Sequence, residues 1–150
     1  MYDYKNVSIR WLGHDSFLIQ AGDINIYIDP YKVSGSALPS ADFVISTHEH
    51  DDHCDPKSIK AISTSDTILM GPEITIAKLK KKVRKKKMVK ALNPGDSFEI
   101  YGIHFSAIPA YNFHRFRSPG TPFHPRASGH IGPILTIGGT KIYHAGDTDK

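Results

Sequence analysis

The stretch Ser46–Pro56, "STHEHDDHCDP", packs three histidines, three aspartates and a glutamate into eleven residues. It is entered from "DFVIST" (residues 42–47), a short apolar run that reads as a buried strand. It leaves through "DPKSIKAIST", where Asp55 offers an N-cap and Pro56 a first helical residue. A strand, then His-x-His-x-Asp-His, then a capped helix is more specific than a solvated acidic turn. His48 and His50 are two apart, so in extended chain both imidazoles face one side. Asp52 and His53 follow directly, and a loop at a strand end can turn all four inward. Imidazole together with carboxylate suits zinc, manganese or iron better than calcium. Adjacent Asp52 and His53 reach an ion held by His48 and His50 only with difficulty. Two neighbouring ions, about 3.5–4 Å apart and clamping a hydroxide, are the simpler arrangement.

Outward from the cluster, "VSIRWLGHDSFLIQ" and "INIYIDP" are β-branched and aromatic, and "AGD" between them predicts a hairpin turn. "DTILMG" predicts a further strand, followed by a helix opening at Pro72. Ile76, Leu79 and Val83 give that helix one narrow apolar stripe. "NPGD" is a turn, and "SFEIYGIHFSAIPA" reads as a strand pair bent at Gly102. From Asn112 to Pro133 four prolines and three glycines interrupt any periodicity, which predicts a long loop of the kind that carries function. "ILTIGGTKIYH" predicts a hairpin across Gly138–Gly139, running into "AGDTD". Hairpins mixed with two helices predict an α+β domain, a sheet covered by helices. There are no repeats and no internal boundary, so residues 1–150 read as one domain.

Composition narrows the functional classes. With 39% hydrophobic and 23% charged residues the chain is globular in character. No apolar run approaches the roughly 20 residues that span a bilayer. The start shows no basic region followed by an apolar stretch, so no secretory signal is expected. A single cysteine, Cys54, cannot form a disulfide within these residues and fits a reducing compartment. The expected location is cytoplasmic. The net charge of +4 is local: Lys78–Lys90 holds nine of the nineteen Lys and Arg and no acid, and the remainder carries a net −5. The run has an apolar stripe, no interleaved aromatics and no nucleic-acid motif, so it reads as a solvated helix face with snorkelling lysines.

"THEHDDH" resembles the His-x-His-x-Asp-His signature of the metallo-β-lactamase superfamily. "WLGHDSFLI", "IYIDPY", "IPAYN", "FHP" and "IYHAGDTD" resemble, in order, the landmarks of one branch. That branch holds uncharacterised metal-dependent hydrolases, near the ascorbate-phosphate lactonases and the N-acyl-phosphatidylethanolamine phospholipase D type. The resemblance runs from about Ser8 to the last residue. It implies an αββα sandwich. It also implies two divalent ions, zinc first and manganese or iron as alternatives, with His48 and His50 on the first ion and Asp52 and His53 on the second. Asp147 would bridge both. The third histidine of the first ion follows "PAY" in many relatives, where this chain has Asn112. His124, His114 and His130 are the candidates, and "PFHP" favours His124 by resemblance. Asn112 would then hydrogen-bond substrate or a ligand.

The implied activity is hydrolysis of a lactone, ester or phosphodiester of a small molecule by a metal-bridging hydroxide. Asp52 would bind metal and also orient or accept the proton of the nucleophile. Further strands, helices and a last histidine for the second ion would follow Asp147, so the sequence reads as an N-terminal portion of the fold, its C-terminal part missing. A complementing C-terminal fragment or an oligomer would then supply cover for an exposed sheet face. The alternatives are a nucleic-acid phosphodiesterase using the lysine run, and a non-catalytic metal-binding fragment.

Other residues divide by environment. Cys54, His104 and His144 are expected to be structural, with a supporting role for His144 as the alternative. His14 either lines the site or is a structural hydrogen-bonder. By the same resemblance, Asp29 would support the site from a neighbouring strand end rather than touch metal. Arg115, Arg117 and Arg126 share the loop with the candidate ligands and either grip a substrate anion or are plain surface charge.

Overall fold

The computed structural model describes residues 1–34, 37–83 and 88–149, and the chain forms two compact units, Met1–Ala91 and Leu92–Lys150.

The first unit is a seven-stranded sheet of β1 (Tyr2–Tyr4), β2 (Val7–Gly13), β3 (Ser16–Ala21), β4 (Ile24–Ile28), β5 (Ala41–Ile45), β6 (Ser63–Gly71) and β7 (Met88–Ala91), in that spatial order. The first four strands pair antiparallel. β4, β5, β6 and β7 run parallel, linked through α1 (Pro56–Ile62) and α2 (Glu73–Lys82). "VSIRWLGHDSFLIQ", expected as one strand, is two. Gly13 (φ 109°) and His14 (φ 50°) turn the chain through the left-handed region between β2 and β3. The lysine run is likewise divided. Lys78–Lys82 lie on α2 and Met88–Lys90 on β7, whereas Arg84–Lys87 fall outside the described residues.

The expected cap is present. Asp55 accepts from the Lys57 amide at 2.9 Å and from the Ser58 hydroxyl at 2.7 Å. Ile59 and Ile62 of α1 join Ile76 and Leu79 of α2, with Val83, in one core with Leu18, Tyr27, Val44 and Leu69. Both helices therefore pack on one face of the sheet through the stripe the sequence marks. Burial of each such side chain is worth about 1.5–3 kcal/mol. Tyr27 is fully buried and donates its hydroxyl to the Pro39 carbonyl at 2.7 Å. Burial pushes its pKa up to about 12.

The parallel strands matter most for the site. They place their C-terminal ends at one edge, and the chain segments carrying Asp29, Ser46–Cys54 and Gly71 leave from that edge. Gly71 is required there. A Cβ at this position would lie 2.6 Å from the Ser46 carbonyl oxygen.

The second unit is a four-stranded antiparallel sheet in the order β13 (Thr140–Tyr143), β12 (Ile131–Ile137), β9 (Ile103–Pro109) and β8 (Ser97–Ile100), with a two-strand ribbon, β10 (Phe116–Ser118) and β11 (Thr121–Pro122). Both hairpins close on positive-φ pairs, Tyr101–Gly102 and Gly138–Gly139, as tight two-residue turns require. The expected loop 112–133 is shorter and more ordered than its prolines suggest. It holds the ribbon and a 3₁₀ turn at Arg126–Ser128, and β12 begins at Ile131. Pro133 is tolerated inside β12 because it sits at the end of the ladder toward β13, where its carbonyl still accepts the His144 amide at 3.1 Å and only one amide bond is forgone.

Candidate metal centre

In the first unit the organising group is Asp29. It follows β4 with φ 47°, is fully buried, and donates its amide to the Ile45 carbonyl at 2.9 Å. Its carboxylate accepts the Thr47 amide and the Thr47 hydroxyl, each at 2.7 Å, and the His53 Nδ1–H at 2.8 Å. An ionised carboxylate only accepts, so the tautomers follow. His53 carries its proton on Nδ1. Thr47 has given its one proton to Asp29, so its oxygen accepts from His48 Nδ1 at 3.0 Å. Both buried histidines therefore present the lone pair of Nε2. A carboxylate behind a histidine that fixes its tautomer is the usual support of a metal ligand.

His48 Nε2 lies 3.1 Å from His50 Nδ1, and the His48 and His53 rings are 4.1 Å apart between centroids. Two ligand nitrogens on one tetrahedral zinc stand about 3.4 Å apart, given bonds of about 2.0–2.1 Å. The donor set and its spacing fit a metal of this kind. Asp52, half exposed, pairs with His14 Nε2 at 3.2 Å.

Two neighbours of the cluster had no signal in the sequence. Lys78 of α2 reaches back to donate to the Glu49 carbonyl and to Asp51 at 2.9 Å, tying the loop to the helix. That hydrogen bond, with the lysine charge, holds the Asp51 carboxyl below its ordinary value. A lysine in a run of nine offers no pattern that singles it out. Asp15 is the other: its Oδ2 is 3.9 Å from His53 Nε2. Cys54 is buried, and burial pushes its thiol up to about 11, which makes it an inert neighbour. Asp29 thus hydrogen-bonds Thr47 and His53 of the cluster from the end of β4, where the resemblance places a supporting residue.

The second unit brings together His124 and Asp147. His124 is buried and its Nδ1 donates to the Asp147 carbonyl at 3.1 Å, which leaves Nε2 as the lone-pair nitrogen, 3.6 Å from Asp147 Oδ2. Asn112 holds this pair. Its amide nitrogen donates to the Asp147 carbonyl and to Asp149 Oδ1, each at 3.0 Å, and its carbonyl accepts the His124 amide at 3.2 Å. Asp149 accepts the Phe113 and His114 amides at 2.6 Å, and these backbone bonds draw its carboxyl down.

The alternatives stand elsewhere: His114 is exposed, while His130 is buried with its ring 5.3 Å from that of His124. His104 bonds Ser97 across the β8–β9 pair at 2.9 Å, and His144 Nδ1 accepts the Gly146 amide at 3.2 Å. The loop arginines have local partners. Arg115 pairs with Asp149 at 3.6 Å, and Arg117 and Arg126 stack over Phe123 and Tyr111.

Residues 8–150 match the model of the "Beta-lactamase superfamily domain" family. A "UPF0173 metal-dependent hydrolase" of Methanoculleus marisnigri is 30% identical over 141 residues, covering 93% of this chain and 58% of the relative. A solved Parabacteroides distasonis structure, named as a metal-dependent hydrolase, is 35% identical with a TM-score of 0.81, over 95% of this chain and 61% of that one. The metallo-β-lactamase fold protein YhfI of Bacillus subtilis shares the fold at a TM-score of 0.60 and 16% identity, over 85% of this chain and 52% of that one. The chain spans about 60% of the length of the first two relatives. Among the described residues no helix is long and apolar enough to cross a membrane. The chain belongs to the β-lactamase superfamily domain family and has the metallo-β-lactamase fold.

Proposed function

We propose that this chain carries the metal-ligand set of a dinuclear hydrolase, with zinc as the preferred ion. His48, His50 and His124 serve the first ion, Asp52 and His53 the second, and Asp147 both. The observation that carries this reading is the Asp29 network, which spends buried hydrogen bonds on holding two imidazoles with their Nε2 lone pairs outward. The names of the relatives support the same chemistry. When bound, the ions supply Lewis acidity and lower the pKa of water to near neutrality.

The chain's own residues do the rest. Thr47 and Asp29 fix imidazole orientation, and Asn112 with Asp149 fixes the Asp147 segment. Asp52, half exposed, holds or accepts the proton of the attacking water at its carboxylate oxygen. The substrate is a small molecule with a lactone, ester or phosphodiester bond, and the protein acts in the cytoplasm.

The experiment is metal analysis of the purified chain followed by turnover of a γ-lactone, a p-nitrophenyl ester and bis(p-nitrophenyl) phosphate. The expected result is cleavage of at least one, abolished by chelation and restored by zinc. Equal turnover with and without metal, or none by the zinc-loaded chain on all three, contradicts the proposal.

A further inference from the structure

The β2–β3 turn presents a second pair of donors beside Asp52 and His53, all within the first unit. His14, Asp15 and His53 offer ligand atoms that all lie within 4.8 Å of one another. His14 Nε2 is 3.2 Å from Asp52 Oδ2. His53 Nε2 is 3.9 Å from both Asp15 Oδ2 and Asp52 Oδ2, beyond hydrogen-bond range for those pairs. Four N/O ligands at about 2.0–2.2 Å from a tetrahedral zinc stand about 3.3–3.6 Å apart. The three spacings bracket that value, and the donors alternate imidazole and carboxylate. A plain surface ion pair explains the His14–Asp52 contact but not why the buried His53 nitrogen faces two carboxylates across an ion-sized gap.

The turn is also built to hold this arrangement. His14 sits at φ 50°, a conformation that costs a non-glycine residue free energy, and the Trp11 indole N–H pins its carbonyl at 2.7 Å. The His14 ring packs edge-on against Tyr31 and His53, with centroids 5.7 and 5.2 Å away. Backbone strain together with local pinning is expected where a side chain must be held in one place.

We infer that His14 and Asp15, together with His53, are ligands of the second divalent ion, with Asp52 beside them. This rests on the proposed metal reading and extends it to two residues outside the histidine signature.

Equilibrium dialysis against zinc, read by atomic absorption, tests it with the wild-type chain, Asp15→Asn, His14→Asn and His50→Ala. Asparagine tolerates the left-handed backbone at position 14 and keeps size at position 15, and circular dichroism checks folding. A cobalt-loaded sample adds the visible ligand-field spectrum. The wild type should bind two equivalents. Asp15→Asn and His14→Asn should each weaken one equivalent at least about tenfold and change its cobalt bands, leaving the other equivalent as in wild type. His50→Ala should weaken the other equivalent. Wild-type affinity and cobalt spectra in both turn variants would overturn the inference while leaving the metal reading standing. A wild-type chain that binds no zinc would overturn both.

Discussion

Two regions carry the candidate ligands, and they are oriented by different means. Ser46–Cys54 leaves a parallel strand and is held from beneath by a buried carboxylate, Asp29, which takes three hydrogen bonds. His124 and Asp147 lie in irregular chain and are held by a peptide carbonyl and an amide side chain, Asn112. Both routes leave an imidazole Nε2 as the lone-pair nitrogen. The carboxylate does more, because its charge also raises the basicity of the histidine it touches. A buried charge has a cost, however: it is tolerable only while its partners remain, so the first segment is the more brittle one.

That contrast can be broken by substitution. Asp29→Ala leaves three buried donors, the Thr47 amide and hydroxyl and the His53 Nδ1–H, without their acceptor, and should lower unfolding free energy by about 1–3 kcal/mol for each in urea titration. Asn112→Ala removes part-buried hydrogen bonds, one to the Asp147 carbonyl and one to the Asp149 carboxylate, and should cost about 1–3 kcal/mol. Equal losses would remove the distinction. Gly71→Ala tests the strand end beneath the histidine loop: the added methyl meets the Ser46 carbonyl, and about 1–3 kcal/mol should be lost with the core unchanged.

Lys78→Met is expected to have the smallest effect on stability, because Asp51 is mostly exposed. Its signature is pH-dependent. The Asp51 carboxyl is depressed in the fold, so the contact stabilises above the ordinary carboxylate value of 3.8 and is lost as pH falls through the lower folded value. The variant should show Asp51 titrating upward toward 3.8 by NMR, with a flatter acid limb of stability. Cys54, with its pKa near 11, should resist thiol reagents at pH 8 in the folded chain and react at once in urea.

Much of the first unit was legible because its signals are local. Asp55–Pro56 specifies a helix start by cap chemistry, and Ile76, Leu79 and Val83 specify a buried face by spacing. The His-x-His-x-Asp-His spacing marks the cluster itself. What was not legible depends on pairs distant in sequence. Lys78 meets Asp51 across 27 positions, and its neighbours in the run hide it. The β2–β3 break is hidden because Gly13 is a lone glycine in a β-rich run and His14, a residue with no turn signal, shares its positive-φ turn, which leaves Asp15 unmarked as well. The loop 112–133 read as irregular because proline density masks a ribbon fixed by pairing between Phe116 and Pro122. Burial separates these loop histidines, and no short motif encodes it: His114 is exposed, whereas His124 and His130 are buried.

Asp29 sets the buried imidazoles of His48 and His53, the former through Thr47, with Nδ1 protonated and Nε2 as the lone-pair nitrogen. Long-range ¹H–¹⁵N spectra of the histidine rings, recorded without metal and then across a zinc titration, test it most directly. The account predicts the Nδ1–H tautomer for both rings in the metal-free chain and a zinc-dependent shift confined to their Nε2 resonances. Nε2–H tautomers that stay unmoved by zinc would contradict it.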